Sequence, residues 1–103
     1  MEQLRVVHSL TPLQSTVLRV MAVRGNRYAP FEAATMAAYG AVMKTIDPTS
    51  GGSVDVSGAQ QALAALQDKA LVWRAARGVY ALEEPGLVDL MREAGLLEAV
   101  PPA

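Results

Sequence analysis

The sequence predicts a mainly α-helical domain with one small β-hairpin near its C-terminal end. Apolar residues recur at helical spacing in four segments, two of which begin with a polar capping pattern. A third observation is a glycine-containing turn between two short segments rich in β-branched and aromatic residues. The 103 residues suffice for one core, so we expect a single domain: a lead over 1–10, a core over 11–95 and a tail over 96–103.

The lead contains Leu4, Val6 and Val7, which we expect to lie on an edge strand or to pack loosely. The first helix is predicted to follow at once. Thr11 and Gln14 form a capping box, Pro12 occupies the first helical position, and Gly25 ends the helix. Its apolar face is Leu13, Val17, Val20 and Met21.

A second helix is predicted from about Pro30 to Ile46, with Gly40 a weak point that divides it into two shorter helices. Its apolar stripe is Phe31, Ala34, Ala38, Val42 and Ile46, with Thr35 and Tyr39 beside it. The turn over 47–57 then leads to a third helix. Here Ser57 and Gln60 form a second capping box, and the expected buried face is Ala59, Ala62, Leu63, Leu66 and Ala70.

The hairpin is predicted from Leu71–Arg74 and Val79–Leu82, joined by a loop over 75–78. Trp73 and Tyr80 are expected to cover the core at its base. A final amphipathic helix contains Leu87, Val88, Leu90, Met91 and Leu97. Three helices, a hairpin and a C-terminal helix in this order predict a winged helix-turn-helix, with the third helix in the recognition position and the hairpin as the wing.

Composition argues against several classes of function. The only histidine, His8, lies in the lead and is a poor candidate for a general base, and Glu83-Glu84 fits a solvated turn better than a metal site. We therefore expect no enzyme, no metal and no cofactor. No segment is long and apolar enough to span a membrane, and the absence of cysteine fits a cytoplasmic location.

Charge is uneven along the chain, although the net charge is −1. Residues 57–82 hold three cations and one acid, whereas residues 83–103 hold five acids and one arginine. For DNA contact, Gln60 or Gln61 matches an adenine edge, and Arg74 and Arg77 match the phosphate backbone. The full set of candidate nucleic-acid-binding residues is Ser57, Gln60, Gln61, Gln67, Lys69, Arg74 and Arg77. Solvated surface roles are the alternative for all of them.

A longer pattern resembles a known family. The segment SVDVSGAQQALAALQDKALVWRAARGVYALEEPGLVDLMRE, with LTPLQSTVLRVMA upstream, resembles the C-terminal winged-helix domain of archaeal-type (STAND-like) AAA ATPases. The matching positions are Ser57, Ala62, Leu63, Leu66, Leu71-Val72, Gly78 to Tyr80 and Glu84-Pro85. The chain departs from the pattern in having Glu84 where aspartate is usual. It also lacks a Walker motif, because no lysine follows Gly51-Gly52, so this chain alone is no ATPase.

Two functions follow as expectations. The resemblance implies a non-catalytic, regulatory winged-helix module that packs against an ATPase domain or another protein. The alternative is a DNA-binding transcriptional regulator that places residues 58–68 in the major groove of double-stranded DNA and the 71–82 wing along the backbone. In that case Leu87, Leu90 and Met91 are the candidate interface of a homodimer.

Overall fold

A computed structural model describes residues 2–50 and 52–101 of the chain. In these residues the order of elements is α1 (Glu2–His8), α2 (Pro12–Arg24), α3 (Ala33–Ile46), α4 (Val56–Asp68), β1 (Val72–Ala76), β2 (Val79–Leu82) and α5 (Gly86–Glu93). Short 3₁₀ turns follow α2 and α3. The fold is thus mainly helical with one two-stranded antiparallel hairpin, an arrangement compatible with a winged helix.

The N-terminal lead forms a helix, so the prediction of an edge strand or loose packing was wrong. Val7 is buried in the common core, and α1 lies against α5. Ser9 ends the helix by donating from its hydroxyl to the Val6 carbonyl at 2.6 Å. The β-branched pair Val6-Val7 resembles a strand locally, but the packing of α1 on α5 outweighs this weak preference.

Helix α2 begins and ends as predicted. The Thr11 hydroxyl accepts from the Gln14 backbone N–H at 3.2 Å, and the Gln14 side chain accepts from the Thr11 N–H at 3.3 Å. Gly25 closes the helix with a positive φ of 55°. The buried face includes Val17, Leu18, Val20 and Met21. Helix α2 is central to the fold, because it contacts α3, α4, α5 and β2.

Helix α3 starts at Ala33, three residues later than predicted, and it is continuous through Gly40. The predicted interruption at Gly40 was therefore wrong. A Cβ atom at Gly40 would lie 2.7 Å from the Gly52 carbonyl oxygen, so this glycine allows the loop backbone to rest on the helix. The buried face is rotated from the predicted stripe and consists of Thr35, Ala38, Tyr39, Val42 and Met43, while Phe31 and Ala34 are exposed.

Helix α4 is capped by Asp55, two residues earlier than predicted. The Asp55 Oδ1 atom accepts from the Gly58 N–H at 2.7 Å, and Ser57 lies in the first turn with an exposed side chain. The predicted buried face is confirmed for Ala59, Ala62, Leu63 and Leu66. Ala70 lies beyond the helix end and is exposed, so its assignment to that face was wrong.

The C-terminal end of α4 is a Schellman motif. The Leu71 N–H donates to the Leu66 carbonyl and the Ala70 N–H to the Gln67 carbonyl, both at 3.0 Å. Ala70 adopts a φ of 59°, the only positive value for a non-glycine residue among those described. Leu71 and Leu66 are both buried, which provides the apolar contact typical of this motif. The chain thereby turns directly from α4 into the hairpin.

The hairpin pairs Trp73 with Ala81 and Arg74 with Tyr80, and a bulge at Ala75 shifts the register. Strand β1 extends to Ala76, so the turn is shorter than predicted and consists of Arg77 and Gly78. Gly78 has a φ of 74°.

Helix α5 ends at Glu93, so Leu97 lies outside it, contrary to the prediction. Residues 94–99 form turns, and Val100 in the predicted tail is packed in the core. Pro102 and Ala103, predicted as part of a frayed end, lie outside the described residues.

Candidate interaction surface of the hairpin and fourth helix

The hairpin exposes large apolar side chains. Trp73 is 47% exposed and Val79 is 49% exposed. Because side chains alternate along a strand and Trp73 lies opposite Ala81, Trp73 and Val79 share one face of the hairpin. The expectation that Trp73 covers the core was wrong. Within β1 only Val72 is buried, because a two-stranded sheet resting on helices has only one face to bury.

Three cations surround this apolar pair. Arg74 and Arg77 are exposed on the hairpin, and Lys69 is exposed at the end of α4. Within the described part of the chain the only ion pair is between Asp89 and Arg92, at 3.1 Å. The charges of these three cations are therefore available to a partner.

The polar candidates on α4 divide into two positions. Gln60 and Gln67 are both exposed and lie seven residues apart, so they share one outward stripe of the helix. Gln67 donates weakly to the Leu63 carbonyl of its own helix, at 3.5 Å. Gln61 instead borders a small cleft beside Thr11 and Gln14 at the start of α2. The structure thus brings Gln60 and Gln67 together and separates Gln61 from them.

The candidate dimer interface on α5 is occupied by the core of the chain itself. Leu87 and Met91 are fully buried, and Leu90 is half-buried. These apolar side chains pack inside the domain, because α5 contacts α1 and α2. A second copy could reach Leu87 and Met91 only if this packing were broken.

The buried polar groups are tyrosines that the sequence reasoning did not connect. The Tyr39 hydroxyl donates to the Pro30 carbonyl at 2.9 Å and is hydrogen-bonded to the Tyr28 hydroxyl. Burial raises the pKa of Tyr39 to about 12. Burial also raises the pKa of Tyr28 strongly, with the nearby Tyr39 and Tyr80 oxygens adding to the effect. Both phenols are therefore neutral at physiological pH.

Other chemistry can be surveyed only within the described residues. No group of three or more His, Asp or Glu side chains there is arranged to hold a metal ion. His8 is exposed at the end of α1, and Glu83-Glu84 is exposed in the turn before α5. In the same part of the chain, no helix is long and apolar enough to cross a membrane.

Comparisons of this chain with models of protein families, with curated proteins and with solved structures give no match. A functional argument therefore rests on the geometry of the chain itself. The hairpin surface, defined as Lys69, Trp73, Arg74, Arg77 and Val79, is its most distinctive exposed feature.

Proposed function

We propose that this chain is a non-catalytic winged-helix module that binds another protein through its hairpin surface. The half-exposed Trp73 carries this proposal. Tryptophan and arginine are the residue types most enriched at the centres of protein interfaces, and here Trp73 lies among Arg74 and Arg77. The resemblance of the sequence to C-terminal domains of AAA ATPases supports an ATPase domain as the partner and a regulatory role in the cytoplasm.

The composition of the surface also favours a protein over DNA. DNA affinity depends largely on the number of phosphates that are neutralised, and three cations on this surface are few. The net charge of −1 gives the chain little general attraction for DNA. A protein partner with acidic and apolar side chains would match both the cations and Trp73.

The test uses affinity capture from the source cells with the immobilised chain. We expect a partner protein, on our proposal an AAA-type ATPase, to be retained by wild type and lost with Trp73→Ala. Phe31→Ala is the matched control, since Phe31 is also exposed, at 37%, but lies before α3. Equal retention by all three proteins would contradict the proposal.

Trp73 also provides a direct readout, because it is the only tryptophan of the chain. Adding the purified partner should shift its fluorescence to shorter wavelength and reduce quenching by acrylamide, because binding removes the indole from water. Unchanged emission at saturating partner would place the contact elsewhere on the domain.

DNA binding remains the second candidate, supported by the outward Gln60 and Gln67 stripe beside the unpaired cations. Fluorescence anisotropy with mixed-sequence duplex DNA tests it at low and physiological salt. Three phosphate contacts would give a slope of log affinity against log salt of about −2.7. The Arg74→Ala/Arg77→Ala variant should then reduce that slope by about 2. Such a result would favour the DNA-binding regulator over the protein module.

A further inference from the structure

A second feature, separate from the hairpin surface and independent of the proposed function, is a pocket of about 470 Å³ between α2, β2 and the start of α5. Its volume lies within the range of about 300–1,000 Å³ that is typical of small-molecule sites. The walls include Met21, Ala22, Ala81 and Pro85, together with Tyr28 and Tyr80. No charged residue is among the described residues that line it.

The polar atoms at this pocket have a defined direction of hydrogen bonding. Tyr39 uses its single hydroxyl hydrogen on the Pro30 carbonyl. Tyr28 must therefore donate its own hydrogen to the Tyr39 oxygen, which leaves the Tyr28 oxygen able only to accept. The Tyr80 hydroxyl lies near enough to affect the titration of Tyr28, but within the described residues it has no hydrogen-bond partner of its own.

One hydroxyl group from a ligand would satisfy both tyrosines. It would accept from the Tyr80 hydroxyl and donate to the Tyr28 oxygen, which extends the chain of hydrogen bonds to Tyr39 and Pro30. An ether lacks the hydrogen for the second bond, and a carboxylate would place a charge among apolar walls at a high desolvation cost. The thioether of Met21 and the tyrosine rings favour an aromatic body.

We propose that this pocket binds a neutral aromatic alcohol, a phenol or naphthol, with its hydroxyl between Tyr80 and Tyr28. Isothermal titration calorimetry with β-naphthol tests this on the full chain. We expect saturable binding of β-naphthol, roughly tenfold weaker binding of its methyl ether, and no binding of β-naphthoate. Absence of saturable β-naphthol binding, or equal affinity for alcohol and ether, would overturn the proposal.

Two variants locate the site. Tyr80→Phe should weaken β-naphthol binding roughly tenfold and leave the methyl ether unchanged, because only the alcohol uses the Tyr80 hydroxyl. Ala81→Phe should fill the pocket and abolish binding, whereas Ala76→Phe, on the same hairpin but outside the pocket, should bind as wild type does. Circular dichroism checks that each variant is folded. If Ala81→Phe does not fold, Tyr80→Phe decides, and unchanged affinity for β-naphthol in Tyr80→Phe would refute the site.

Discussion

The helical body and the hairpin differ in how they dispose of their apolar side chains. In the body, formed by α2, α3 and α4, residues such as Leu18, Tyr39 and Leu66 are completely buried. In the hairpin, Trp73 and Val79 remain about half exposed, and only Val72 of β1 is buried. Stability therefore depends on the body, whereas the hairpin is free to present side chains to a partner.

The largest effect that this comparison predicts is on the free energy of unfolding. Leu66→Ala should lower it by about 3–5 kcal/mol, since the substitution leaves a cavity beside Leu63 and Leu71 at the end of α4. Trp73→Ala should lower it by less than about 1 kcal/mol, because half of the indole already contacts water. Urea denaturation monitored by circular dichroism measures both.

A large loss of stability in Trp73→Ala would break the comparison, because it would make the indole a structural residue. The binding and stability data together are decisive. On our proposal, Trp73→Ala loses its partner while remaining folded, and Leu66→Ala weakens binding only to the extent that the domain unfolds.

A smaller effect is expected where a loop rests on the body. Gly40→Ala should destabilise the chain by about 2 kcal/mol, because the new methyl group would meet the Gly52 carbonyl oxygen at 2.7 Å. This cost exceeds the gain of about 1 kcal/mol in helix propensity. Thermal unfolding measures the change.

The matched control for Gly40→Ala is Gly86→Ala at the start of α5, where the nearest atom to a new Cβ is the Glu84 Oε1 at 3.6 Å. That substitution should be neutral or slightly stabilising. Equal behaviour of the two alanine variants would mean that the loop yields to the new methyl group.

Much of this architecture could be predicted from the sequence because its signals are local. The Thr11 capping box, the buried face of α4 and the hairpin each depend on residues close together in the chain. The face of α3 could not be predicted, because its rotation follows from packing with distant elements. For the site, exposure of Arg74 and Arg77 agrees with expectation, whereas exposure of Trp73 depends on how little of the hairpin the helices cover.

An effect of about 1 kcal/mol separates the two candidate caps of α4, the helix that leads into the hairpin. Asp55→Ala should destabilise by about that amount, because it removes the acceptor of the 2.7 Å bond from Gly58. Ser57→Ala should change little, since Ser57 is exposed within the first turn. Urea denaturation of the two variants measures the difference, and the reverse order of effects would restore Ser57 as the cap.

The smallest effect concerns Ala70, the residue that joins the body to the hairpin. Ala70→Gly should stabilise by about 0.5 kcal/mol, because glycine adopts the positive φ of 59° without strain and this gain exceeds its greater loss of entropy on folding. Ala64→Gly, on the exposed face of the same helix, should instead destabilise by about 1 kcal/mol.

Opposite signs for these two alanine-to-glycine changes would show that strain is concentrated at the junction, since helix propensity alone predicts a loss at both positions. A loss in Ala70→Gly would mean that the left-handed turn costs little here. The Schellman bonds of Leu71 and Ala70 would then hold the turn without strain, and the hairpin would be fixed to α4 by the apolar contact between Leu71 and Leu66.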